Sequence, residues 1–141
     1  MNDPRAMRIA QWVFAADPVF LAVVAYALDA SGMAHPLREN PPALLAMLFA
    51  AAALGLVYVS FKLASGRYDP PLPAGAPPRP VVRGVSMRDG VRLGAVAIAA
   101  APAVLGLVLH ILTGDDWALL AFNGGALAVA VRHVMAFATA E

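Results

Sequence analysis

Among the polar side chains within the long apolar stretches of this chain, Asp17, His110, Asn123, Arg132 and His133 are the candidates for chemistry. Ionisable groups in lipid are costly and are kept where they pair, bind an ion or relay protons. At a rise of 1.5 Å per residue, Asp17 and Arg132 are expected at similar depths, roughly 8–12 Å from the same membrane face. An ion pair between the first and last apolar stretches is the leading expectation. The competing expectation is that the long Arg132 side chain reaches back to the headgroups. Two histidines at equal depth would suit bis-imidazole haem ligation. His110 and His133 are expected near opposite faces, so a haem shared between them is disfavoured, and His110 is expected to hydrogen-bond across helices to Asn123 or Tyr26. His35 falls in a connection and carries no motif. Asp115 and Asp116 form an acidic turn beside Trp117, with too few converging oxygens for a convincing hard-cation site. No metal-ligand set, cofactor motif or catalytic residue is predicted. The chain lacks a phosphate-cradling glycine loop, a zinc-protease His–Glu pattern, a serine elbow and a dinucleotide fingerprint.

The elements that must position these groups follow from composition. Of 141 residues, 61% are hydrophobic and 13% charged, where an ordinary soluble domain has about 25% charged. The net charge of +1 is too balanced for a protein that neutralises many phosphates, so nucleic acid is not an expected partner. The absence of cysteine removes disulfides, thiolate metal sites and iron–sulfur clusters. A bilayer core needs roughly 20 apolar residues per helix, and four such runs occur, at about 9–28, 43–61, 93–112 and 117–137. Unbroken apolar runs exclude an alternating β-barrel, and in lipid a helix alone satisfies its own backbone. The predicted fold is all-α: a single four-span membrane domain made of two tandem transmembrane hairpins.

Basic residues set the expected orientation. Arg5 and Arg8 precede the first run, and Lys62, Arg67, Arg79, Arg83, Arg88 and Arg92 join the second to the third, whereas the other two connections hold only Arg38. The positive-inside rule then places both termini and the 62–92 connection in the cytoplasm, with the chain in a bacterial inner membrane. A signal-peptide reading of the first run is disfavoured because Asp17 and Pro18 interrupt its apolar core.

The 62–92 connection contains Pro70, Pro71, Pro73, Pro77, Pro78 and Pro80, which predicts an extended strap, as a spacer or, less favoured, as a docking segment. Ser86 and Asp89 have the spacing of a helix-capping box. Pro18 and Pro102 are expected to kink the first and third spans. They align under an offset of 84, which also superposes Ala15, Ala16, Leu21, Val24 and Leu28 on Ala99, Ala100, Leu105, Val108 and Leu112, a faint internal repeat of the kind that yields parallel halves. Small residues recur four apart at Ala95, Ala99 and Ala103, at Ala51 and Gly55, at Ala121 and Gly125, and at Gly124 and Ala128, a spacing that permits close helix contact in lipid.

The run Pro102, Leu105, Gly106, Leu107 and Val108 resembles the carboxylate-bearing helix of the rotor-ring proteolipids of ATP synthases, and the internal repeat would match their double-hairpin forms. The resemblance covers one span. Ala101 stands where that family's ion-binding acid would fall, and the family's glycine-repeat helix is absent.

These features lead us to expect a non-catalytic membrane subunit or assembly partner of a respiratory, photosynthetic or transport complex. Its partners would be the lipid bilayer and either other membrane subunits or copies of itself. The alternative is a homo-oligomeric ion or small-solute pathway using Asp17 and Arg132. A weaker alternative is a haem or quinone anchor through His110 or His133.

Overall fold

The computed structural model describes residues 4–39, 42–65, 75 and 87–139. Among these residues all regular structure is helical: α1 (Pro4–Ala30), α2 (Ala43–Ala64), α3 (Met87–Ala100), α4 (Pro102–Thr113) and α5 (Asp116–Ala138). Helices α3 and α4 run on as one span, so four helices are long and apolar enough to cross a membrane. The first extends further toward the N-terminus than its apolar run, because Arg5 and Arg8 are tolerated on turns that reach beyond the hydrocarbon. The proline-rich run, Ser86, Arg67, Arg79 and Arg83 lie outside the described residues.

The two prolines behave differently. Pro18 is fully buried inside an unbroken α1. Pro102 separates α3 from α4, because it has no N–H to give the Ile98 carbonyl. The Ala101 N–H is shared instead between Ala97 O at 3.1 Å and Ile98 O at 3.3 Å.

The turn after α4 takes two residues. Gly114 closes α4 in a left-handed conformation, its N–H bonding the His110 carbonyl at 2.7 Å. Asp115 then caps α5, its carboxylate accepting from the N–H groups of Trp117 and Ala118 at 2.9 and 3.1 Å. A carboxylate at that position is favoured by the positive end of the helix dipole.

The α3–α4 span is the most enclosed of the four, and α1, α2 and α5 all pack against it. The core is built largely of small residues: Ala15 from α1, Ala95, Val96 and Ala99 from α3, and Ala130, Val134 and Phe137 from α5. Small faces let backbones approach where lipid supplies no hydrophobic drive. The predicted row Ala95, Ala99, Ala103 is fully buried, so its partners lie within the chain.

The predicted pairing into tandem hairpins does not describe this packing. Among the described residues, α1 and α2 make no contact with each other, although they are consecutive, whereas α4 and α5 pack closely. The α3–α4 span stands between α1 and α2 because its alanine row offers each a closer approach. The two halves of the faint repeat therefore differ in how they pack.

Candidate functional site

Polar side chains gather at the two ends of the bundle. At the end holding residues 31–39 and the 114–115 turn, α1 stops at Ala30 and the chain turns through Gly32, with Met33 N–H donating to Leu28 O at 3.3 Å. The following segment lies across the end of α4. There the Leu37 N–H donates to Leu112 O at 2.8 Å, and His35 Nδ1 lies 3.2 Å from Ile111 O. Carbonyls in a helix's last turn lack intrahelical donors, so both contacts satisfy groups that would otherwise be orphaned.

This arrangement brings together three residues that are far apart in sequence. Asp29 Oδ2 lies 2.9 Å from His110 Nε2, and Asp29 Oδ1 lies 3.2 Å from His35 Nε2. One donor atom from each of Asp29, His35 and His110 falls within a 4.8 Å cluster. The His35 and His110 rings meet edge to face, centroids 5.4 Å apart. His110 is 1% exposed, while the Asp29 side chain is 36% exposed and opens the cluster to its surroundings.

Proton bookkeeping shows what this geometry demands. A carbonyl only accepts, so His35 Nδ1 must carry the proton toward Ile111 O, and a neutral His35 then turns the lone pair of Nε2 to the Asp29 carboxylate. Two acceptors at that distance need a positive centre between them. His110 has the same problem: Nε2 faces Asp29, and Nδ1, buried without a hydrogen-bond partner, lies 3.5 Å from Asp116 Oδ1. A neutral imidazole has one N–H for two carboxylates. Asp29 and His110 also lie in the last turns of α1 and α4, where the helix dipoles are negative and favour cations.

The opposite end holds His133 on α5, fully buried, with Nε2 3.1 Å from Ser60 Oγ on α2. Ser60 spends its one proton on Val57 O at 2.7 Å, so its oxygen accepts from His133 Nε2–H. That direction excludes His133 as the base that would activate Ser60 as a nucleophile. The ring packs edge-on against Phe61 at 4.9 Å and stacks on Phe137 at 6.1 Å. Three cations lie over aromatic faces at this end: Lys62 on Tyr58, Arg92 on Phe137 and Arg132 on Phe61.

Arg132 therefore does not make the ion pair that a shared depth suggests. Its guanidinium sits 4.8 Å over the Phe61 ring on α2, and no Asp17–Arg132 ion pair exists among the described residues. Equal depth does not fix rotation about the helix axis, and Arg132 projects from the exposed side of α5. Asp17 is half-buried. Asn123 donates to Leu119 O on its own helix at 2.9 Å and leaves Oδ1 buried without a donor, while Tyr26 is exposed. The interhelical partner of His110 is Asp29, not Asn123 or Tyr26. His110 and His133 do lie at opposite ends of the bundle, and no pair of histidines is placed to share a haem among the described residues.

Together with His110, which the sequence singles out, Asp29 and His35 each offer one ligand atom, and the three atoms lie within 4.8 Å of one another. Neither Asp29 nor His35 belongs to a motif, so local sequence does not mark them as site residues. The available signal was topological, since a four-span chain places the end of the first span, the first connection and the end of the third span in one layer.

Comparisons with protein families, curated proteins and solved structures find no match for this chain.

Proposed function

We propose that this chain is a non-catalytic integral membrane subunit or assembly partner of a larger membrane complex, with both termini on the cytoplasmic side of a bacterial inner membrane. The observation that supports this reading is an outward-facing set of small residues. Ala51 and Gly55 on α2, and Ala121, Gly124, Gly125 and Ala128 on α5, are exposed, and a Cβ added at Gly55, Gly124 or Gly125 meets nothing within 4 Å. The equivalent row on α3 and α4 is consumed inside the bundle, so these unused faces fit helices from another chain. The orientation is supported by Lys62, Arg92 and Arg132 sharing one end, the end expected to face the cytoplasm.

A second reading draws on Asp17, a half-buried carboxylate within a span for which no ion-pair partner is found among the described residues. A homo-oligomer gathering several copies of Asp17 and Arg132 would form an ion or solute pathway.

Isolation of the tagged chain from its native membrane in mild detergent tests both readings. The proposal expects other membrane polypeptides to co-purify, and to be lost in Gly55→Leu and Gly125→Leu while the chain itself remains as stable as before. A complex containing this chain alone, in several copies, favours the pathway. A Soret band would favour the haem-anchor alternative, and a monomer without haem contradicts all three.

A further inference from the structure

We propose that Asp29, His35 and His110 bind one divalent transition-metal ion at the end of the bundle formed by residues 31–39 and 114–115. Two nitrogens and a carboxylate oxygen, with no thiolate in the chain, suit a borderline ion such as Zn²⁺ or Fe²⁺ rather than soft Cu⁺ or hard Ca²⁺. A tetrahedral ion about 2.0–2.1 Å from each ligand holds them about 3.3–3.5 Å apart. The separations of 2.9 and 3.2 Å run to different oxygens of Asp29, and one ligand atom from each residue lies within 4.8 Å of the others, so an ion would draw the three side chains inward to reach that spacing.

Three features mark this as more than a chance cluster. Both histidines turn Nε2 to the centre. Ile111 O, 3.2 Å from His35 Nδ1, is the acceptor that the outer shell of a metal-binding histidine requires, and Asp116 Oδ1, 3.5 Å from His110 Nδ1 and not hydrogen-bonded to it, is the candidate for that role at His110. With a metal at the centre, each ring needs only one proton, on Nδ1, and no lone pair faces a carboxylate. His110 is buried with Nδ1 otherwise unpartnered, a cost that the outer-shell role explains.

The ligands come from α1, the 31–39 segment and α4, so the ion would clasp the end of α1 to the end of the central span. Three protein ligands leave at least one coordination position on the exposed side of Asp29, open to water or to a donor from a partner. The same contacts without a metal would be an imidazolium–carboxylate cluster, and the experiment separates the two.

The full-length protein is purified through a tag without histidines, stripped with a chelator, and titrated with Zn²⁺ alone against a chromophoric competitor, with metal content read by elemental analysis. One zinc per chain is expected. Asp116→Asn, at a largely exposed side chain that does not threaten folding, should keep that stoichiometry and weaken binding roughly 10–100-fold, the usual cost of an outer-shell partner. His35→Gln, which removes a ligand from a connection, should cost more than Asp116→Asn. Absence of zinc from the wild-type protein overturns the proposal, as does zinc held equally tightly by the wild type, His35→Gln and Asp116→Asn.

Discussion

Gly106→Ala is expected to destabilise the bundle by about 1–3 kcal/mol, the range for forcing a methyl into a packed interior. The added Cβ would lie 2.5 Å from Phe122 Cβ and 3.3 Å from its Cγ, with Asn123 Nδ2 at 3.4 Å. The nearest atom is the first carbon of a side chain on α5, fixed to the backbone, so no rotamer change relieves the clash and α4 and α5 must separate. Phe122→Ala leaves that carbon in place and therefore should not rescue Gly106→Ala. Gly55→Ala and Gly124→Ala, which meet nothing within 4 Å, should instead leave the isolated chain as stable or slightly more so, since alanine is the better helix former. Thermal unfolding in detergent checks the contrast. Equal melting points for Gly106→Ala and Gly55→Ala would show that α4 and α5 do not approach as described.

Gly114→Ala is the second large effect. Gly114 has φ of +68°, a left-handed conformation that costs a residue with a Cβ about 1–2 kcal/mol. Its Cβ would also press on the His35 ring, 3.1 Å from both Cγ and Cδ2. The substitution thus strains the turn and displaces one imidazole of the Asp29–His35–His110 cluster. Asparagine tolerates the left-handed region but carries the same Cβ. Gly114→Asn should therefore recover most of the lost melting temperature while the histidine NMR resonance of His35 stays shifted, as in Gly114→Ala. If the resonance returns to its wild-type position in Gly114→Asn, the close seat of His35 against Gly114 is wrong.

The number and order of the spans were legible in the sequence because each needs only an unbroken apolar run of membrane thickness, a property of adjacent residues. Helix ends were less so: Arg5 and Arg8 continue α1 past its apolar run, since a cation on an interfacial turn carries little cost. Proline alone did not predict a break either, as Pro18 is absorbed into α1 while Pro102 divides its span. Neighbour choice was harder still. Sequence order suggests that α1 pairs with α2, yet the alanine row of the third span attracts both.

The same reasoning explains the polar sites. Depth can be counted along a helix, but rotation about its axis depends on the packing of every other helix. Arg132, counted along its helix to a depth like that of Asp17, accordingly turns to Phe61. The histidine cluster was hidden for another reason. Asp29 on α1 and His110 on α4 are separated by α2 and α3, and His35 reaches them only because its connection bonds to the last carbonyls of α4. No local spacing encodes that contact. Asp115 and Asp116 also divide their work in a way their adjacency conceals: one caps α5 and the other faces His110.

The four apolar helices are proposed to cross the membrane with the histidine–aspartate cluster on the outer face and the cationic end in the cytoplasm. The absence of cysteine makes the most direct measurement clean: labelling of intact cells with a membrane-impermeant maleimide, using single cysteines introduced as Arg38→Cys and Thr139→Cys, both at exposed positions. The account predicts that Arg38→Cys is labelled from outside and Thr139→Cys only after the membrane is opened. Labelling of Thr139→Cys in intact cells, or protection of Arg38→Cys in them, would contradict it.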